Sequence, residues 1–282
     1  MWLYLAIGSA VLLGLYDVAK KQALRRNGVL GVLLVATALS TLLMLPFFRA
    51  GSIPDHLCLV FKAALVTASW VSGLAALGLL PITTVSTFKT SRPVFVLLLS
   101  ILIYGERLNA WQWGGSLLAL AAIWMLGRSS RSDAGVSVRR RGWWYMAIAV
   151  ATGVASALWD KHILTFLEPL FVQSWTNLYI TLMLGICVLW QRRFNPDGFQ
   201  PVRWDWTLVV IALLITGADY LYFRSLHADG AMLSVISMIR RGSVIITFAL
   251  GAALFHEKRV GRKALALAVM LAGITLIVIG SR

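Results

Sequence analysis

The stretch TFKTSRPVFVLLLSILIYGERLN (87–109) decides how this chain is read: it is a membrane-length apolar segment that carries Lys89 and Arg92 within it. A second stretch, SVISMIRRGSVIITFALGAALFHEK (234–258), repeats the plan, with Arg240 and Arg241 inside and Glu257-Lys258 at its exit. A bare cation at bilayer depth costs about 2.5–3.5 kcal/mol on insertion scales, so it is retained only where it faces a cavity or a partner. The expectation is that these two helices line one cavity.

Working outward, the whole composition belongs to the same solvent. Of the 282 residues 59% are hydrophobic and 13% charged, with a mean hydropathy of +0.81, which is the profile of an integral membrane protein. The formal net charge of +15 is therefore read as loop charge that orients the chain, and nucleic acid is not expected as a partner. Cys58 and Cys187 lie in or beside apolar runs without CxxC spacing, as small buried hydrophobes. No metal and no cofactor are expected. The N-terminal MWLYLAIGSAVLLGLYDVAKK has no basic region before its apolar run and no small-residue cleavage site, so it is kept as the first span.

A span needs about 20 mostly apolar residues. Breaks at Gly, Pro and charge divide the sequence into ten such units, at 2–24, 29–48, 57–80, 81–104, 108–127, 143–166, 169–190, 205–226, 231–255 and 261–280. This predicts an all-α membrane protein of ten transmembrane helices. A basic linker, 128–142, separates a first five-helix repeat, 1–127, from a second, 143–282. YLAIGSAVLLGLYD, ending at Asp17, aligns with YMAIAVATGVASALWD, ending at Asp160, and Arg92 corresponds to Arg241. Because five is odd, the second copy crosses the membrane in the opposite sense, the inverted-repeat plan of secondary transporters.

Loop charges orient this plan. The connections that leave odd-numbered spans carry Lys20, Lys21, Arg25 and Arg26, the arginines of 128–141, Arg192, Arg193 and Arg203, and the cluster from Lys258 to Lys263. Opposite them stand only Arg49, Lys62, Arg107 and Arg282. The excess of positive charge on the cytoplasmic side then puts both termini outside.

With Pro93 inside the fourth span, Glu106 of YGERL echoed by Glu257 of HEK, and the Gly-rich helices WQWGGSLLALAAIWMLG and KALALAVMLAGITLIVIG after them, the whole chain resembles the EamA-type transporters of the drug/metabolite transporter superfamily. The resemblance implies two inverted five-helix repeats and alternating-access transport of small metabolites. It places the central cavity among helices one, three, four, six, eight and nine. It also implies cytoplasmic termini, opposite to the charge count. A Lys/Arg cluster on helices four and nine is similar to the way organophosphate translocators of that superfamily hold an anion.

Lys89 and Arg92, three residues apart, share a helical face and can reach one anion. The bland alternative is that each neutralises an acid on a neighbouring helix. Arg240 and Arg241 point about 100° apart, so Arg241, the repeat-mate of Arg92, is taken to face the cavity, with Arg240 at its rim or paired to an acid. Asp17 and Asp160 are the counter-charges or protonatable coupling groups. Asp17 has the further option of bridging Lys20 or Lys21 along its own helix. Asp219 has no matching acid in the first half, where Trp70 stands. Counting Lys161 with the inner cations leaves an excess of positive charge, which favours an anionic or zwitterionic substrate.

Tyr16, Trp159, Tyr220 and Tyr222 are candidates for the substrate wall, together with Trp175. Glu106 is read as packing at a helix junction, and Asn177 and Gln173 as hydrogen-bonding a neighbour. The chain is thus expected to be a secondary transporter of a small organic anion or zwitterion, in a bacterial inner membrane, as monomer or homodimer. The alternative is an exporter of amino acids or hydrophobic metabolites and drugs whose charges are paired structurally. A membrane-embedded enzyme is disfavoured, because His56, His162, His227 and His256 are scattered without ligand spacing. No GxxxxGK[ST] loop is present, so ATP is not expected to drive the cycle.

Overall fold

The computed structural model describes residues 1–77, 79–80, 91–129, 140–194, 202–255 and 260–281. The helices are α1 (Trp2–Ala23), α2 (Val29–Met44), α3 (Ile53–Leu77), α4 (Arg92–Tyr104), α5 (Ala110–Ser129), α6 (Arg140–Ile163), α7 (Pro169–Phe194), α8 (Trp206–His227), α9 (Leu233–Arg241), α10 (Ser243–Phe255) and α11 (Val260–Gly280). Among the described residues there is no strand. Among the described residues five helical stretches are long and apolar enough to cross a membrane: Trp2–Ala23, Val29–Phe47, Ile53–Leu77, Pro169–Phe194 and Trp206–His227.

Local chemistry sets the ends of these helices. Pro46 closes α2 in a short 3-10 turn, since it cannot continue the ladder. Ser52 and Asp55 cap α3 reciprocally, each side chain taking the other's backbone N–H, so α3 begins at Ile53, ahead of the expected 57. Gly105, at φ 62°, ends α4 in the left-handed conformation that glycine adopts freely.

Three expectations need correction. Pro93, expected inside the fourth span, lies in the first turn of α4, where its missing N–H is not needed. The ninth expected span is two helices, broken at Gly242 directly after Arg240 and Arg241. A Cβ at Gly242 would meet Ile274 at 2.6 Å, so α11 closes onto that break. The linker expected at 128–142 is shorter at both ends, because α5 runs to Ser129 and α6 starts at Arg140. Lys89 and Glu257, with the helix face expected for Lys89 and Arg92, lie outside the described residues.

Packing follows a paired scheme. α1 lies along α8, and α3 lies along α6; α2 meets α7, α4 meets α9, and α5 meets α11. Exchanging the helices before residue 130 for those after it, in order and with α9 and α10 taken together, leaves this set of neighbours unchanged. The α5–α11 pair packs backbone to backbone: a Cβ on Gly115 would stand 2.5 Å from the Gly273 carbonyl oxygen, so only paired glycines allow this approach.

Side chains tie the ends of the helices together in two groups. Asn27, after α1, accepts from the Arg203 N–H before α8 at 2.6 Å. In the other group Arg49 pairs with Glu168 at 2.7 Å, the Ser225 hydroxyl donates to the Trp2 carbonyl, and Asn109 donates to the Gly280 carbonyl. Glu106 belongs to the same group. It accepts from Lys161 and from the first N–H groups of α9, at Leu233 and Ser234. Burial pushes the Glu106 carboxyl up, but Lys161 and Ser234 outweigh it and hold the group below the usual carboxylate range.

Candidate functional site

Between α1, α4, α6, α8 and the α9–α10 break lies a cavity of about 350 Å3, walled by Leu13, Asp17, Arg92, Val96, Gly153, Ala157, Tyr222, Ser237, Arg240 and Arg241. Each cationic wall residue sits at an end of its helix. Arg92 opens α4 beside Pro93, while Arg240 and Arg241 close α9, where cations complement the free carbonyls of a helix C-terminus. Helix α3, implied by the resemblance as part of this wall, is absent from it.

The Arg92 guanidinium lies flat on α6. A Cβ at Gly153 would be 2.7 Å from its Cζ, and Nη2 donates at 2.7 Å both to the Ala149 carbonyl and to the Ser69 hydroxyl of α3. Its Nε is buried and has no acceptor among the described residues. No carboxylate of the described residues forms an ion pair with Arg92. Arg241 interacts electrostatically with Arg92, Asp17 and Arg240. Asp17 in turn interacts electrostatically with Lys20 and both arginines.

Arg240 pairs with Asp219 at 3.0 Å and lies 4.0 Å over the ring of Tyr222. Tyr222 and Arg240 also wall a second, smaller chamber of about 170 Å3, set between α2, α3, α6, α7 and α8. Its lining includes Ser40, Lys62, Trp70, Ser156, Asp160, Thr176, Asn177 and Asp219. Trp70 and Asp219, matched by the repeat, therefore share one chamber.

The structure thus brings Asp17, Arg92, Tyr222, Arg240 and Arg241 to one cavity, and Asp160 and Asp219 to the chamber beside it. Other expectations are corrected. Asp160 pairs with neither Arg92 nor Arg241; its partner is Lys62, which is only 2% exposed and whose Nζ also lies 4.4 Å from the Phe223 ring centroid. Lys62, assigned to a loop by the charge count, is therefore an inner cation of α3 and leaves the loop tally. Lys161 binds Glu106 and the Ala231 carbonyl at a helix junction and is removed from the inner set.

Tyr16 is buried among Ala23, Val32, Ala36, Leu208 and Ile211, with its hydroxyl bonded by Lys20, and does not wall the cavity. Trp159 points toward α3, donating to the Cys58 carbonyl and packing edge-on against Phe61. Trp175 donates to the Arg49 carbonyl, and Tyr220 lines neither chamber. With Lys62 added and Lys161 removed, the described inner cations Lys62, Arg92, Arg240 and Arg241 still outnumber the carboxylates Asp17, Asp160 and Asp219 by one.

Comparison with known proteins places this architecture. The chain matches the EamA-like transporter family over residues 1–128 and 140–279. It belongs to that family, within the drug/metabolite transporter superfamily, and is an integral membrane protein of a class that transports small molecules. Among 29 solved chains with matching folds, one crystal structure has a TM-score of 0.74 and 17% identity, covering 97% of each chain; it is similar in fold alone. No curated protein sequence matches the chain.

Proposed function

We propose that this protein is a secondary transporter that moves a small organic anion or zwitterion across a bacterial inner membrane by alternating access. In this reading the chain forms ten spans, as inverted repeats at 1–127 and 143–282. The unchanged set of neighbours on exchanging the two halves supports that arrangement, and so does the sorting of helix ends into two groups. The observation that carries the substrate class is electrostatic. Three guanidinium groups, Arg92, Arg240 and Arg241, wall one cavity with a single carboxylate, Asp17. Two of them keep a buried Nε that meets no acceptor among the described residues. Such donors are costly to leave unmet, and an anionic guest supplies acceptors.

Purified protein in proteoliposomes, screened by counterflow against anionic and zwitterionic metabolites, tests this. At least one anion should exchange, and Arg92→Gln or Arg241→Gln should lower its transport about 10- to 100-fold, the worth of one charge-assisted hydrogen bond. Transport confined to neutral or cationic compounds, indifferent to both substitutions, would refute the reading.

One observation favours the second reading, an exporter of amino acids or hydrophobic metabolites with its charges mutually paired: Arg240 already has Asp219. The exchange Asp219→Arg with Arg240→Asp separates the two. Recovered transport assigns that pair to structure, whereas continued loss in a folded protein assigns Arg240 to the guest.

A further inference from the structure

We infer that the smaller chamber is a second subsite, which receives a hydrogen-bond-donating end of the transported molecule, a hydroxyl or an ammonium, while the anionic end lies on Arg92 and Arg241. This rests on the reading of the larger cavity as the anion site. The two spaces share Tyr222 and Arg240 as a common wall, so a guest that draws Arg240 toward its anionic end frees Asp219 on the other side.

The polarity of the chamber follows from the direction of its hydrogen bonds. The Thr216 hydroxyl donates to the Ala212 carbonyl at 2.6 Å, so in the 2.6 Å contact with Ser40 the donor is Ser40. Ser40 in turn accepts from the Asn177 Nδ2 at 2.8 Å, which leaves the Asn177 amide oxygen as an acceptor. The carboxylates Asp160 and Asp219 also line the space, each facing a cation of the same lining, Lys62 and Arg240. Thr176, only 3% exposed, lines it too, and its hydroxyl has no partner among the described residues. A buried hydroxyl left unmatched in a space of about 170 Å3 marks a place where a polar group of the guest completes the bonding. An apolar tail would leave these groups unpaired, the situation in which sites built for hydrogen bonding reject analogues most strongly.

Isothermal calorimetry on the detergent-purified full chain, with two matched ligand series, tests the inference. One series is propyl phosphate, glycerol 3-phosphate and 3-aminopropyl phosphate; the other is butanoate, 4-hydroxybutanoate and 4-aminobutanoate. In at least one series a donor-bearing member should bind tenfold or more tighter than the apolar-tailed one. Hydroxyl and ammonium arms tell which donor is preferred, and Thr176→Val and Asn177→Leu should each reduce the preference to less than twofold.

If propyl phosphate or butanoate binds through Arg92, as loss in Arg92→Gln shows, and the donors add nothing, the subsite is overturned while the anion site stands. A preference that survives both substitutions also overturns the subsite. If no member of either series binds, the anion site fails and the subsite with it.

Discussion

Lys62→Met is expected to destabilise the folded protein by about 3–5 kcal/mol, because it strands the Asp160 carboxylate among buried groups without its cation. Asp160 is 5% exposed, and its salt-bridge partner is Lys62. The double change Lys62→Met with Asp160→Leu removes both charges and should recover most of the loss, since a buried pair replaced by apolar side chains of similar volume is commonly neutral. Thermal unfolding in detergent compares the three proteins. A single variant as stable as the double one would mean that Asp160 does not depend on Lys62.

Gly153→Val is expected to be the next most damaging substitution, with Arg92 itself left in place. The new side chain occupies the space of the guanidinium, whose Cζ lies 2.7 Å from where a Cβ would stand. The arginine must lift from α6 and lose its bonds to Ala149 and Ser69, two charge-assisted hydrogen bonds worth about 3–6 kcal/mol together before water in the cavity rehydrates the freed guanidinium. Because the charge survives but its position does not, anion binding should fall about as far as in Arg92→Gln. Unchanged binding in Gly153→Val would show that the anchored geometry is irrelevant.

The helices were legible because a bilayer demands long apolar segments, and this chain interrupts them with Pro, Gly and charge at nearly every crossing. The cations Arg92, Arg240 and Arg241, set within apolar runs, were legible for the same reason, since charge in such a run needs an explanation. Lys62 carries the same signal, six residues into an apolar run, although its place near the start of that run resembles a loop cation. The break at Gly242 was hidden because glycine is common in membrane helices and fits the neighbouring Ile274 as readily as it ends a turn.

Aromatic residues beside acids misled for another reason. Tyr16 and Trp159 precede Asp17 and Asp160 in sequence, but successive positions point about 100° apart, and a helix that is apolar all round does not announce which face meets the cavity. Ser69, Gly153 and Thr176 were invisible: small residues acquire meaning only when tertiary packing brings Arg92 across α6 or leaves a hydroxyl unmatched.

In the proposed cycle the arginine-walled cavity is reached by water and by anions from each side of the membrane in turn. Ser237 lies on its wall beside Arg240 and Arg241. With Cys58 and Cys187 replaced by alanine, Ser237→Cys in sealed vesicles of each orientation should react with a membrane-impermeant anionic methanethiosulfonate added outside. The transported anion should slow that reaction, and Arg92→Gln should remove the protection. A cysteine that stays unlabelled from both sides would contradict the account.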